Sequence, residues 1–283
     1  MLILKSCLPY LANYDALICD IWGVLHDGVT AYPDSNATLT RYREQGGRVV
    51  LLSNSPQLSW QIEDLLRDRG VKRSVYDTLV TSGDLTISAV RALNVRRVYH
   101  LGPERHAPLY ENQPYGRGPL EGAEAIVCTG FFNDNTEELE SYMPDLQKAV
   151  SRGLPLVCGN PDVVVDVGGQ LVLCAGAIAA RYEEIGGRVI WAGKPDMMAY
   201  TAAQEKIDAL FGAPVAKSKI LAIGDALKTD MQGAEGYGVD RLFIAQGIHR
   251  EEVAPEGKIE AAALKKIFSH SGLTATAAAY NLA

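Results

Sequence analysis

A chain of 283 residues is long enough for one large domain or two modest ones, and 47% apolar with 22% charged residues is the balance of a soluble globular protein. A formal net charge of −7 excludes nucleic acid as the main partner, because phosphate-backbone binding needs a basic footprint. No run approaches the roughly 18 apolar residues of a membrane span.

The N-terminal segment MLILKSCLPYLANYD does not read as a signal peptide. Five scattered cysteines (Cys7, Cys19, Cys128, Cys158, Cys174) show no C-x-x-C pair and read as buried thiols of a reducing compartment, so a cytoplasmic location is expected.

Short apolar runs alternate with helical patterns along the chain, which predicts an α/β fold on a mainly parallel sheet. The run DALICD is a strand ending in Asp20, followed by a helix over PDSNATLTRYREQGG with Asp34 or Ser35 at its start and a Gly-Gly stop. The run RVVLLSN is the next strand. The helix after it is expected to take Ser55 as N-cap and Pro56 as first residue, with Leu58, Ile62, Leu65 and Leu66 on one buried stripe. RRVYHLG, AEAIVCTG and LPLVCGN are further strands. Between the last two, the segment DNTEELESYMPDLQKAVSRG has apolar positions Leu139, Tyr142, Met143, Leu146 and Val150 that suit a helix, expected to kink or split at Pro144. The final third adds GRVIWAGKPD, KSKILAIGDALKTD and DRLFIAQG, three more strand-then-loop units. Trp60 and Trp191 fall within apolar periodicity and are expected in the core, and His100 and His106 lack the spacing of a metal pair.

Four of these strands end in residues suited to phosphate or metal chemistry: Asp20, Ser53 with Asn54, Lys194, and Asp225. One parallel sheet would bring all four ends to a single edge, where ligands bind. Asp20 can attack phosphorus as a carboxylate nucleophile, and Asp20 with Asp225 can hold Mg²⁺. Ser53 and Asn54 can donate hydrogen bonds to phosphoryl oxygens, and Lys194 can neutralise the charge that nucleophile and phosphoryl group share. Asp230, one helical turn beyond Asp225, can fix Lys194 or a metal-bound water.

The motifs ICDIWGVLHDG, LLSNSP, GKPD and GDALKTDMQGA together resemble those of the haloacid dehalogenase (HAD) superfamily. Their order and spacing are most similar to its class IIA branch, the NagD-like sugar-phosphate and nucleotide phosphatases, and the resemblance covers nearly the whole chain. It implies a Rossmann-like doubly wound core, a magnesium ion, Asp20 as nucleophile and Ser53 as phosphate ligand. It also implies Lys194 as charge stabiliser, Asp225 and Asp230 at the metal, and the backbone carbonyl of Trp22 as a further metal ligand.

About 140 residues separate Ser53 from Lys194, far more than one crossover needs. The resemblance accounts for them as an inserted α/β cap. The expected division is a discontinuous core of residues 1–80 and 188–283 with a cap of residues 81–187. Asp162, Asp166 and Cys174 stand in the cap segment where specificity positions would lie.

The departure from the family pattern is Trp22. The position two after the nucleophile is normally a second aspartate, which protonates the leaving oxygen and then activates water. An indole N–H does not titrate and does neither. General acid–base help is worth about 10²–10⁴-fold, so turnover of alkyl phosphate esters should suffer by about that much. His26 and Asp27 are the neighbouring substitutes.

The expected function is thus a magnesium-dependent phosphohydrolase acting on a small phosphorylated metabolite through an aspartyl-phosphate on Asp20. The alternatives are a slow or silent protein that binds a phosphorylated ligand, and a dehalogenase-like hydrolase, which the retained Asp225 and Asp230 disfavour. Oligomeric state stays open, a homodimer among the options.

Overall fold

The computed structural model describes residues 1–133, 137–167 and 170–283. The side chains of residues 166–170, Asp166 among them, lie outside that description. The chain begins with strands β1 (Leu2–Ile3), β2 (Ala16–Cys19), β3 (Arg48–Ser53) and β4 (Thr78–Thr81). It continues through β5 (Arg97–Leu101), β6 (Gly116–Arg117), β7 (Ala125–Cys128), β8 (Pro155–Cys158), β9 (Val164–Val167), β10 (Gln170–Leu173) and β11 (Arg188–Trp191). It ends with β12 (Ile220–Gly224), β13 (Asp240–Ile244) and β14 (Ala277–Ala279).

Two compact units result. The first comprises residues 1–53, 63–80 and 199–283, and the second residues 54–62 and 81–198. In the first unit a seven-stranded sheet runs β1-β14-β13-β12-β2-β3-β4, with parallel pairing from β1 through to β3. Without the short β1, its strands follow the 3-2-1-4-5-6 order of a doubly wound α/β fold. Every residue of β2 and β12 is buried, which explains why both read as unbroken apolar runs: helices cover a parallel sheet on both faces.

The second unit carries its own parallel sheet, β11-β8-β7-β5-β6, and an antiparallel pair of β9 with β10. Its core gathers Leu101, Ile126, Leu146, Leu156, Ile178 and Tyr182. A helix over Ser82–Leu93 opens the unit's longer segment, and Thr81 caps it by accepting from the Asp84 amide at 3.1 Å.

Several sequence expectations change. The strand Arg188–Trp191, assigned by sequence to a core resuming at residue 188, pairs with β8 in the second unit, which extends to Met198. An apolar strand followed by a loop looks the same in either sheet; only its pairing partner distinguishes them. The helix expected from Ser55 starts instead at Ser59, because the Gln61 side chain accepts from the Leu58 amide at 3.0 Å and the Ser55–Pro56 stretch stays a loop. The earlier helix opens with Pro33 and takes Tyr32, not Asp34 or Ser35, as its cap. Pro144 does divide its region, with a 3₁₀ turn over Leu139–Tyr142 leading into a helix over Met143–Ser151. Trp60 is 55% exposed rather than core, while Trp191 packs partly buried against the second unit's core. All five cysteines are buried, and no disulfide joins them among the described residues. No helix among the described residues is long and apolar enough to cross a membrane.

Candidate active site

Strands β2 and β12 are neighbours at the point where the strand order of the seven-stranded sheet reverses, and crevices at such points receive ligands. Asp20 follows β2 directly and is fixed there by its amide, which donates to the Ile223 carbonyl at 2.8 Å. Asp225 follows β12. The turn after it brings Asp230 back, its Oδ2 accepting from the Ala226 amide at 3.1 Å.

The three carboxylates are 8%, 5% and 3% exposed, and one oxygen from each lies within 4.8 Å of the others. Asp225 Oδ2 also accepts from the Ile248 amide at 2.7 Å. The backbone crowds close around this group. A Cβ on Gly23 would stand 2.1 Å from Asp225 Oδ2 and one on Gly247 1.8 Å from the same atom, so only glycine fits at either position. Gly23 also has φ +76°, a conformation that a side chain would strain.

Three buried carboxylates this close repel one another when ionised, and a bound cation removes that cost. The donor set is all carboxylate oxygen, the preference of a hard divalent cation such as Mg²⁺ rather than of a soft metal.

The loop after Asp20 shows how Trp22 is accommodated. The half-buried indole stands edge-on to the His26 ring at 5.2 Å and 72°. It also lies over Gly28, where a Cβ would be 2.5 Å from indole Cζ2 and φ is +93°. The side chain thus folds back onto its own turn.

His26 is 1% exposed, and its Nδ1 accepts from the Gly28 amide at 2.9 Å. Burial chiefly, and the Arg69 charge next, push its pKa down to about 4. The imidazole is therefore neutral near pH 7 with Nδ1 committed, which makes it a support for the turn and a poor proton shuttle. Asp27 is exposed and closes the same turn, its Oδ1 accepting from Thr30 at 2.7 Å and Val29 at 2.8 Å. Those amides, Thr30 first, lower its pKa, so it stays ionised and has no proton to give.

Ser53 is the last residue of β3, beside β2, on the same sheet as Asp20 and Asp225. The expectation that four strand ends share one sheet edge holds for three. Lys194 follows β11, an edge strand of the five-stranded sheet. Asn54 belongs with Lys194 in the second unit. Its carboxamide Oδ1 accepts from the Lys194 amide at 2.8 Å, and its Nδ2 donates to the Lys194 carbonyl at 3.1 Å and to Asp162 Oδ1 at 2.9 Å. Its donors are engaged by protein, contrary to the reading of Asn54 as a donor to phosphoryl oxygen.

Sequence reasoning missed a buried polar group in the second unit. His100 Nε2 and His106 Nδ1 each lie 2.9 Å from the Thr129 hydroxyl. The three residues are scattered in sequence, and no spacing rule joins them.

Comparison with known proteins follows the same lines. Residues 17–114 match a family model for haloacid dehalogenase-like hydrolases, and residues 191–267 match a second, HAD-hydrolase-like model. The chain is 28% identical over 240 residues to the ribonucleotide monophosphatase NagD of Escherichia coli K12, covering 82% of this chain and 88% of that one. It superposes on the crystal structure of a haloacid dehalogenase-like hydrolase from Brucella suis 1330 with a TM-score of 0.87 at 36% identity, covering 99% and 100% of the two chains. A possible sugar phosphatase from Cytophaga hutchinsonii has the same fold, with a TM-score of 0.78 at 22% identity over 100% and 99%.

Proposed function

The chain belongs to the haloacid dehalogenase-like hydrolases, in their NagD-like class IIA branch, and is a hydrolase of the phosphatase type; from that premise we propose that it is a magnesium-dependent phosphohydrolase working through an aspartyl-phosphate on Asp20. The observation that carries the proposal is the buried trio Asp20, Asp225 and Asp230 at the sheet's reversal point. Asp20, Asp225 and the carbonyl of Trp22 would hold the metal, with Asp230 in support. When bound, Mg²⁺ would offset the carboxylate charge and that of the incoming phosphoryl group.

The remaining roles fall to the chain's own residues. Asp20 attacks phosphorus and the substrate oxygen leaves; water then attacks the aspartyl-phosphate to release phosphate and restore Asp20. Ser53 donates to a phosphoryl oxygen, and Lys194 stabilises the charge that builds up during transfer. The substrate is a small phosphorylated metabolite of the sugar or nucleotide class, by analogy with the 28%-identical NagD. The inserted segment is assigned to the cap domain of the class IIA branch.

Trp22 sets the preference among leaving groups. No titrating side chain stands two residues after Asp20, and neither neighbour replaces it, since His26 is neutral and Asp27 ionised. Acyl and aryl phosphates leave as stable anions and need no proton; alkyl phosphates do. A second reading rests on the same observation: with no base to activate water, the protein binds phosphorylated ligands and turns over slowly.

A screen of acetyl phosphate, 4-nitrophenyl phosphate, sugar phosphates and nucleoside monophosphates, with Mg²⁺ and with chelator, separates the two. Mg²⁺-dependent release of phosphate that is faster from the first two substrates supports the enzyme. Phosphate binding without release from any of them supports the binder.

A further inference from the structure

The carboxamide of Asn54 grips both backbone polar groups of a single residue. Oδ1 takes the Lys194 amide at 2.8 Å and Nδ2 gives to the Lys194 carbonyl at 3.1 Å, so the pair closes like two rungs of a sheet around Lys194 Cα. The contact is internal: Asn54 is 4% exposed and Lys194 3%. It also depends on close approach, since a Cβ on Gly193 would stand 2.6 Å from Asn54 Oδ1 and 2.2 Å from Ser82 Oγ.

The third partner settles which way the amide faces. Asp162 Oδ1 accepts from Nδ2 at 2.9 Å. Flipping the carboxamide would turn Oδ1 toward that carboxylate and the Lys194 carbonyl, and set the NH₂ group against the Lys194 N–H, so all three contacts would become repulsive. Three segments far apart in sequence, the loop after β3, the loop after β8 and the loop after β11, are thus tied at one point inside the second unit.

We infer that Asn54 is a positioning residue for Lys194, and that Asp162 acts through Asn54 by holding its amide in the one orientation that grips the Lys194 backbone. The inference rests on the reading of Lys194 as the charge stabiliser of phosphoryl transfer. Fixing a lysine's backbone removes freedom that its ammonium would otherwise have to lose in the transition state. The clamp therefore contributes to kcat rather than to substrate affinity.

Hydrogen exchange of the Lys194 amide in the full chain tests the clamp without any turnover. Asn54→Ala and Asp162→Ala should each speed exchange of a 190–198 peptide, by about tenfold and about threefold, as expected for losing one or part of a neutral hydrogen-bond pair. Asp162→Asn keeps an acceptor and should restore wild-type exchange. With 4-nitrophenyl phosphate and Mg²⁺, Asn54→Ala should lower kcat about tenfold with KM within twofold, and should cause no further loss in a Lys194→Met background.

Unchanged exchange in both alanine variants would overturn the clamp. So would an Asn54→Ala protein that raises KM and weakens binding of inorganic phosphate while the amide stays protected, since Asn54 would then be a phosphate ligand. If the wild type releases no phosphate from any ester, the phosphatase reading fails, and the exchange measurement still decides the clamp. Should Asn54→Ala fail to fold, the pair Asp162→Ala and Asp162→Asn carries the same test.

Discussion

The two parallel sheets each reverse their strand order once, and each holds a buried polar group at that point. In the seven-stranded sheet the reversal lies between β2 and β12, and three carboxylates meet there. In the five-stranded sheet it lies between β5 and β7, where His100 and His106 share the hydroxyl of Thr129. The fold feature is the same, but the electrostatics are opposite. One hydroxyl can donate to one ring and accept from the other, so the second group is neutral and satisfied from within. An ionised carboxylate has no donor, so ionised carboxylates cannot hydrogen-bond to one another. Polar burial at a sheet's reversal point therefore does not mark a reaction centre by itself; the proposal for the first group rests on a donor set that suits a hard cation.

The comparison breaks most sharply at Asp20. If the trio is the reaction centre, Asp20→Asn should lower phosphate release from 4-nitrophenyl phosphate by at least about 10³-fold and abolish beryllium fluoride binding. Retained turnover would mean direct attack by water, with the carboxylates only supporting it.

Trp22→Asp sharpens the same site from the other direction. Restoring an acid at position 22 should raise kcat/KM for alkyl phosphates, which reports the transfer to Asp20 and not the later attack of water, by about 10²-fold and change that for acyl phosphates little. The ratio of the two rates is the measurement, because it cancels any general loosening of the turn once the indole no longer packs on Gly28. A variant that slows alkyl phosphate hydrolysis would show instead that the indole contacts substrate.

The histidine group should respond to pH rather than to metal. Burial, foremost, holds the pKa of His100 down to about 4 and that of His106 to about 3, against 6.5 when unfolded. The unfolded chain then binds more protons below pH 6.5. Stability from this group is fully present above that pH and is lost as pH falls toward 4 and 3. The loss is on the order of 2 kcal/mol per histidine by pH 5. Urea unfolding at pH 7 and pH 5 should show a smaller difference for His100→Gln and for His106→Gln than for the wild type. Equal differences would show that these rings are not held neutral.

How far the sequence reveals these features follows from their range. Strands β2, β3 and β12 are legible because burial on both faces makes each an unbroken apolar run, and Asp20, Ser53 and Asp225 stand out because they end such runs. Which sheet β11 joins is not legible, since pairing with β8 is a long-range choice and an edge strand reads like any other. The neutrality of His26 and the commitment of Asn54 are equally hidden. Both depend on partners fixed by folding, such as the Gly28 amide, Asp162 and the Lys194 backbone. Trp22 lies between these cases. Its presence is plain in the sequence and signals the missing acid, but only the structure shows the indole folded onto Gly28 and His26.

Calorimetric titration with Mg²⁺, on the wild type and on Asp225→Asn, bears most directly on the claim that the three carboxylates form a metal-dependent reaction centre. The wild type should bind one equivalent, and Asp225→Asn should bind at least about tenfold more weakly or not at all. Equal binding by both proteins, or none by the wild type, would contradict it.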